Sequence, residues 1–357
     1  MNDFATFELK NRGKGLLIGA NTSTKVNCNI GINHPSYLKA ETHKLCSIFE
    51  NNQCPDMFMD LSTIQLDKPL YKTIITSSQC PVGTVPTYLL PMNQRISQED
   101  ALDLLKKQAD DGISFFTLHF TASLDLLKLA CKYRKIPVTS RGGGMLLHNM
   151  QIYKDGNIWK RLLPQIIDLA QRYDIAISLG STFRPAGIVD ACDEVHIKET
   201  QKQIELCKLL QQENVKVIIE NIGHIDIQKI KEHSNLLKQF NAPIMPLGPL
   251  PIDSAFGLDS LAAAIGASCL GVFNCCHIVN CITAAEHKDS FPSISDTLEA
   301  IRYAKLAAHI IDVAKGIGVD IDNEVYNERA NKHCCIIDGI SICERCNSYC
   351  PLKLIKR

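Results

Sequence analysis

The sequence has no surplus of either charge sign: its 357 residues carry 38 Lys plus Arg against 38 Asp plus Glu. That balance supplies neither a basic surface for nucleic acid nor an acidic tail. No run is long and apolar enough to span a bilayer. The opening MNDFATFELKNRGKG lacks the apolar stretch of a secretory signal. No low-complexity linker or internal repeat interrupts the chain. These absences lead us to expect a cytoplasmic globular protein with no membrane and no nucleic-acid partner. Cysteine, by contrast, is plentiful, with 16 residues scattered along the chain. Such dispersion does not suit the disulfide framework of a small secreted domain. Most of these thiols are expected in the interior, as small apolar side chains.

What is present is one theme repeated. A short β-branched run is followed by a polar or Gly-rich turn and then a helical pattern. The runs are KVNCNIG (25–31), DMFMDLS (56–62), PVGTVPTYLL (81–90), SFFTLHF (114–120), IPVTSRGG (136–143), IAISLGS (175–181), VKVIIENIGH (215–224) and APIMPLGP (242–249). Between them, SQEDALDLLKKQADDG offers a Ser cap, an acidic first turn and a closing Gly. Eight strand candidates alternating with helices predict an α/β fold, a (β/α)8 TIM barrel with a C-terminal helical segment and a Cys-rich tail. A doubly wound sheet is the runner-up, but no G-x-G-x-x-G follows the first run. The expected divisions are an N-terminal segment (1–21), the barrel (22–292), a helical segment (293–330) and a cysteine tail (331–357).

Barrel chemistry gathers at the carboxyl ends of the strands. Those ends carry Asn29; Met59, Asp60 and Ser62; Thr84 and Tyr88; His119; Ser140 and Arg141; Ser181 and Arg184; and Glu220 and His224. In TSRGGGM, a Gly-rich turn lets the backbone approach an anion, and Arg141 can grip phosphate through two N–H groups. A flexible turn beside a surface Arg is the plainer alternative. His224, in ENIGH, and His287, in CITAAEH, are candidate ligands for Zn²⁺ or Fe²⁺, although spacing alone does not pair them. His277 is expected to make a buried hydrogen bond. Cys343, Cys346 and Cys350 follow a C-x2-C-x3-C pattern. Two readings stay open for them: zinc, with Cys334 or Cys335 as a fourth ligand, or an iron–sulfur cluster with one iron left open.

The ordered set SRGGGM, ISLGSTFRPAGIVDACDE, VIIENIGH, PLGPL, CITAAEH and AKLAAHIIDVAKG resembles the ThiC family, the thiamin pyrimidine (phosphomethylpyrimidine) synthases. TKVNCNIG, MDLST and PVGTVPTY extend the resemblance towards the N-terminus. The resemblance implies a radical S-adenosylmethionine lyase on a (β/α)8 barrel. Such an enzyme converts 5-aminoimidazole ribotide to hydroxymethylpyrimidine phosphate in thiamine biosynthesis. It implies substrate contacts at Asn29, Met59, Tyr88, His119, Ser140, Arg141, Gly142, Ser181, Arg184, Glu220 and Met245, with Glu220 and His119 as catalytic candidates. It also implies a divalent metal, Zn²⁺ or Fe²⁺, on His224 and His287, and a [4Fe–4S] cluster on Cys343, Cys346 and Cys350. The implied partners are a ribotide-type small molecule, a flavodoxin- or ferredoxin-type electron donor and a second copy of the chain.

The sequence departs from the family pattern in places. STFR stands where the family has Asp-Gly-Leu-Arg, so Ser181 replaces a carboxylate. ENIGH stands for Glu-Gly-Pro-Gly-His, which introduces Asn221 and Ile222. Met245 stands for a Tyr. These changes leave open a 5-hydroxybenzimidazole synthase-like enzyme or another paralogue with an altered ribotide. Two further classes, a zinc-dependent barrel hydrolase and a ribotide-binding protein without turnover, stand as contrasts.

Overall fold

The computed structural model describes residues 5–11, 13, 15–51, 54–288, 291–337, 343 and 345–355. Two compact units divide it, Met1–Ile311 and Asp312–Arg357. Among the described residues, no helix is long and apolar enough to cross a membrane.

The first unit opens with a hairpin, β1 (Thr6–Leu9) and β2 (Leu16–Gly19). There follow β3 (Lys25–Ile30), α1 (Leu38–Glu50), β4 (Met57–Asp60), α2 (Leu70–Ser77), β5 (Val82–Thr84), α3 (Gln98–Asp110) and β6 (Phe115–Leu118). Four helices come next: α4 (Leu124–Tyr133), α5 (Arg141–Tyr153), the short α6 (Ile158–Arg161) and α7 (Leu163–Tyr173). Then come β7 (Ala176–Leu179), α8 (Glu194–Gln212), β8 (Val217–Ile219), β9 (Ile222–His224), α9 (Ile227–Leu237), β10 (Leu247–Leu250), α10 (Asp259–Gly271), β11 (Ile278–Asn280) and α11 (Ile294–Ala314). The boundary falls in the last turn of α11, and the second unit contains α12 (Val319–Lys332) and α13 (Pro351–Leu354).

Seven strands form one parallel sheet in the order β11-β3-β4-β5-β6-β7-β8. Successive side chains on a strand point to opposite faces, and here the two faces are chemically distinct. Cys28, Phe58, Phe116, Ile177 and Ile219 join the large cluster beneath the helices. Met57, Met59, Phe115, Ala176, Ile218 and Ile278 form a smaller cluster on the other face. The smaller cluster is completed by Phe7, Leu9 and Ile18 of the hairpin, so the N-terminal segment plugs that face. Lys216 ties the plug down through the Glu8 carbonyl at 2.9 Å and Asp174 at 2.8 Å.

Segment 243–245 hydrogen-bonds both outer strands of this sheet. The Ile219 N–H donates to the Pro243 carbonyl (2.9 Å) and the Met245 N–H to the Ile219 carbonyl (2.8 Å). On the other side, the His277 and Ile278 N–H groups donate to the Ile244 carbonyl at 2.9 and 3.2 Å. His277 makes the expected buried bond, its Nδ1 accepting from the Ile244 N–H at 2.9 Å. β9 and β10 form a separate parallel pair.

Most of the expected runs are strands, and Ser97 caps α3 by accepting from the Asp100 N–H. Two expectations need correction. The run at 136–143 is not a strand: its first half is irregular and its second half begins α5, with Ser140 as the cap. Pro137 has no N–H to give to a ladder. The glycines serve a close approach: a Cβ at Gly142 would lie 2.4 Å from the His119 ring and one at Gly143 2.5 Å from Thr182. The strand that brings the sheet to seven is β11, a three-residue element inside NCCHIVNC, too short to show any periodicity.

The plug yields a stability prediction. Leu9 is 1% exposed. Leu9→Ala is expected to lower the unfolding free energy by about 2–5 kcal/mol in a chemical denaturation curve. An unchanged midpoint would show that the hairpin is not part of the core.

Candidate active site

A cavity of about 460 Å³ opens at the carboxyl ends of the strands. Eight of the eleven residues expected to contact substrate line it: Asn29, Met59, Tyr88, His119, Ser140, Arg141, Arg184 and Glu220. The strand ends place them. Asn29 is on β3, Met59 on β4, His119 just past β6 and Glu220 just past β8. The other three, Gly142, Ser181 and Met245, are not among the lining residues.

His119 is held with little freedom. Its ring lies against Gly142 on one side and Gly180 on the other, where a Cβ would come within 2.4 and 3.0 Å of it. Asn157 fixes the backbone by donating to the His119 carbonyl at 2.9 Å. Burial, with help from the Arg184 charge, pushes the imidazole down to about 3, so the ring is neutral at ordinary pH. Its Nδ1 is buried without a hydrogen-bond partner among protein atoms. An orphaned polar atom beside a cavity is a group that a ligand can satisfy.

Glu220 is the buried carboxyl of the site. Its Oε1 accepts from Thr117 Oγ1 at 2.7 Å and Ser178 Oγ at 3.0 Å, both from the same face of the sheet. Burial raises it above the usual carboxylate range, while the two hydroxyls and Arg184 pull it back. The two guanidiniums at the cavity touch neutral groups. Arg184 donates to the Ser181 carbonyl at 3.1 Å, and Arg141 lies 5.3 Å from the centroid of the Tyr88 ring. Ser140, in capping α5, sets Arg141 at the first turn of that helix, where the helix dipole also favours an anion.

Nothing in the sequence pattern points to Lys44 and Glu41. They form a buried ion pair at 2.8 Å on α1 and line the same cavity. An i,i+3 pair on an amphipathic helix has the signature of solvated surface charge, so only the fold reveals it.

The two histidines, 63 positions apart in sequence, are neighbours in space, with ring centroids 5.3 Å apart at 63°. Each ring is oriented by its own carboxylate: His224 Nδ1 lies 2.7 Å from Asp253 Oδ1, and His287 Nδ1 lies 2.7 Å from Asp259 Oδ1. A carboxylate only accepts, so each Nδ1 carries a proton, and in the neutral ring that leaves the Nε2 lone pair for a ligand. This carboxylate–histidine arrangement is the one that prepares imidazoles for a metal. Asp253 and Asp259 were missed by sequence reasoning, and nothing in their local pattern marks them.

Ser181, Asn221 and Met245 turn inward. Ser181 Oγ donates to Glu199 Oε2 at 2.7 Å, and the same carboxyl accepts from Thr121 Oγ1 and the Thr182 and Phe183 N–H groups. Met245 is fully buried in the cluster on the plugged face. Asn221 Oδ1 accepts from the Ile222 N–H (2.6 Å) and faces His196 Nε2 and His233 Nε2 at 3.3 and 2.9 Å. This network holds a turn in which the β-branched Ile222 adopts φ 76°, a strained value.

Among the described residues, one trio brings potential ligand atoms within 4.8 Å of one another: Cys192, His196 and His233. It is better read as part of the Asn221 network. His196 Nδ1 accepts from the Cys192 N–H at 3.2 Å and its Nε2 meets Asn221, which occupies both nitrogens. The two rings stack at 4.2 Å and 27°, so their in-plane lone pairs do not converge. The three tail cysteines are not such a trio. Cys346 and Cys350 flank a 3-10 turn, Asn347–Tyr349, and Cys350 begins α13. Glu344, between Cys343 and Cys346, lies outside the described residues, as do 338–342 and the terminal 356–357.

An α/β enzyme fold with a strand-end cavity, a buried acid and a prepared histidine pair is the class these features define. The chain belongs to the Radical SAM ThiC family, whose sequence profile matches residues 6–335. It is similar to the phosphomethylpyrimidine synthase of Carboxydothermus hydrogenoformans, at 33% identity over 311 residues, 84% of this chain and 72% of that protein. It is also similar to the phosphomethylpyrimidine synthase of Thermoanaerobacter pseudethanolicus, at 32% identity, covering 95% of this chain and 85% of that one. Among solved structures, a Xanthomonas albilineans dihydropteroate synthase superposes with a TM-score of 0.48 at 9% identity, covering 85% of this chain and 98% of that chain.

The buried histidine network gives a pH prediction. Burial lowers His233 from its ordinary value of 6.5 to about 4. The unfolded chain therefore takes up this proton first, and the stability tied to a neutral His233 is lost as pH falls from about 6.5 towards 4. The raised carboxyls, Glu199 and Glu220, act in the opposite sense, so the comparison is with His233→Asn. Between pH 7 and 4.5 the parent chain should lose about 2 kcal/mol more unfolding free energy than the variant. Equal slopes in urea titrations would reject the assignment.

Proposed function

We propose that this chain is a ThiC-type radical S-adenosylmethionine lyase acting on 5-aminoimidazole ribotide to form the hydroxymethylpyrimidine phosphate of thiamine. The observation that carries the reading is one cavity on which Arg141, Arg184, His119 and Glu220 converge, in a chain of this family. The names of its relatives supply the product class.

Two guanidiniums that touch only neutral groups suit a doubly charged phosphate. His119, neutral and clamped, presents its ring at the cavity wall, where the ring or ribose of the substrate would meet it. Glu220, raised by burial, holds or releases a proton at its free oxygen, Oε2, while Thr117 and Ser178 keep Oε1 in place. The apolar floor, Met59 among it, keeps water from the lower half of the cavity. We read segment 243–245 as the eighth strand, which would close the seven-stranded sheet into a (β/α)8 barrel. The expected divisions at 21, 292 and 330 are retained as part of this proposal.

His224 and His287 would hold a divalent ion, zinc or iron, through their Nε2 atoms; the Nδ1–carboxylate bonds fit that role. Cys343, Cys346 and Cys350 would hold a [4Fe–4S] cluster: three thiolates are the donor set that leaves one iron open. When bound, that cluster supplies the electron that cleaves a carbon–sulfur bond of S-adenosylmethionine. A small flavodoxin- or ferredoxin-type donor, a homodimer and a cytoplasmic location complete the proposal.

Anaerobic reconstitution with iron and sulfide should yield about four irons per chain and a broad absorption near ~400 nm. Reduction in the presence of S-adenosylmethionine and aminoimidazole ribotide should then release 5′-deoxyadenosine. A colourless, zinc-only protein sinks the cluster assignment. A reconstituted protein that binds the ribotide without releasing deoxyadenosine sinks the catalytic one.

The histidine pair is tested separately. Asp259→Asn removes the carboxylate that orients His287, and metal affinity in a chelator competition should fall about 10–100-fold. An unchanged affinity would remove Asp259 from the site.

A further inference from the structure

Two thiols outside the cavity lie close enough to react with one another. Cys54 Sγ and Cys80 Sγ are 3.9 Å apart, although 26 positions separate them in sequence. Cys54 precedes β4 and Cys80 precedes β5. These neighbouring parallel strands pair Phe58 with Val82. Both cysteines are half-buried, unlike Cys46 and Cys131, which are exposed. Cys80 Sγ also lies 3.5 Å from the Pro55 carbonyl, which keeps it beside the Cys54 segment.

We propose that Cys54 and Cys80 form an oxidisable dithiol, a modification site that a small-molecule disulfide converts to a Cys54–Cys80 bridge. Sulfur atoms at this separation need to close by about 1.9 Å to reach bonding distance, which side-chain rotation in two segments leading into strands can supply. Cys80 is the entering nucleophile. The Cys54 thiol is placed to donate to its sulfur and the Lys305 charge favours its thiolate, while burial and Asp56 oppose.

The reaction balances as two exchanges. The Cys80 thiolate attacks one sulfur of the small disulfide; its S–S bond breaks and one thiolate leaves. Cys54, giving up its proton, then attacks Cys80 Sγ and expels the second small thiolate. Two protein thiols are oxidised, one small disulfide is reduced to two thiols, and the protons pass to those leaving groups. The bridge staples the amino ends of two strands, opposite the end that bears the cavity. It closes a loop containing β4 and α2, so it restricts the unfolded chain.

The test uses the full chain, purified anaerobically and equilibrated with mixtures of reduced and oxidised glutathione. Samples are quenched in acid, free thiols are alkylated, and the digest is read by mass spectrometry without reduction. The expected product is a peptide pair joined through Cys54 and Cys80, lighter by two hydrogen atoms than the separate thiol peptides. Cys46 and Cys131, which serve as lone exposed controls, should carry glutathione or the alkyl group. Oxidation should also raise the thermal unfolding midpoint, and Cys80→Ser should abolish both the joined peptide and that rise. Recovery of Cys54 and Cys80 as separate alkylated or glutathionylated peptides overturns the proposal. So does a joined peptide that appears only after denaturation.

Discussion

Every second residue of the parallel strands faces the plugged side of the sheet, and that side must be filled at one end and left open at the other. Near the amino ends, Met57, Phe115, Ala176, Ile218 and Ile278 meet the hairpin residues Phe7, Leu9 and Ile18. Further along β6 and β7 the side chains become polar, Thr117 and Ser178, and β3 adds Asn29 beside them. Apolar burial of this kind contributes about 1.5–3 kcal/mol per large side chain. It is set against the cost of keeping Glu220, a carboxyl 3% exposed, above an apolar floor. Ser178 and Thr117 offset that cost because they sit one and two strands away on the same face, at hydrogen-bonding reach. The acid of the site is thus a consequence of the pleat.

Much of this was legible in the sequence, because the carboxyl end of a strand is a position that pattern alone can find. Asn29, Met59, His119 and Glu220 were placed correctly for that reason. The errors share a cause as well. The run at 136–143 looked like a strand because β-branched residues precede a glycine cluster, but those glycines serve a helix that presses on His119. β11 escaped notice because three residues carry no measurable period. Six of the eight expected runs supply strands of the seven-stranded sheet, β11 supplies the seventh, and the run at 242–249 contributes β10 to the separate β9–β10 pair. Lys44, Glu41, Asp253 and Asp259 were invisible for another reason. Charged side chains outside a motif look alike in sequence whether they face solvent or a cavity, and only distance separates the two.

The departures from the family pattern take on a different weight once their side chains are located. Ser181 reaches back to Glu199, and Met245 lies in the floor. Asn221 ties His196 and His233 beneath the turn, while Ile222 is fully buried. None of the four lines the cavity. They alter how the loops after β7 and β8 are braced. Glu199 accepts three hydrogen bonds from residues 181–183 and a fourth from Thr121, so it holds the turn that aims Arg184. The residues now at these positions brace the loops that present Arg184, Glu220 and His224.

That bracing ties the proposed phosphate end of the site to the proposed metal end. The Gly223 segment approaches the Arg184–Pro185 loop closely enough that a Cβ would fall 2.6 Å from the Pro185 carbonyl, and the His224 N–H donates to that same carbonyl at 3.2 Å. A shift of the loop that carries Arg184 must then move His224, and with it the ring that Asp253 orients. On this argument the two ends are one mechanical unit. A ligand that draws Arg184 inward would adjust the histidine pair through a single backbone hydrogen bond, with no intervening side chain required.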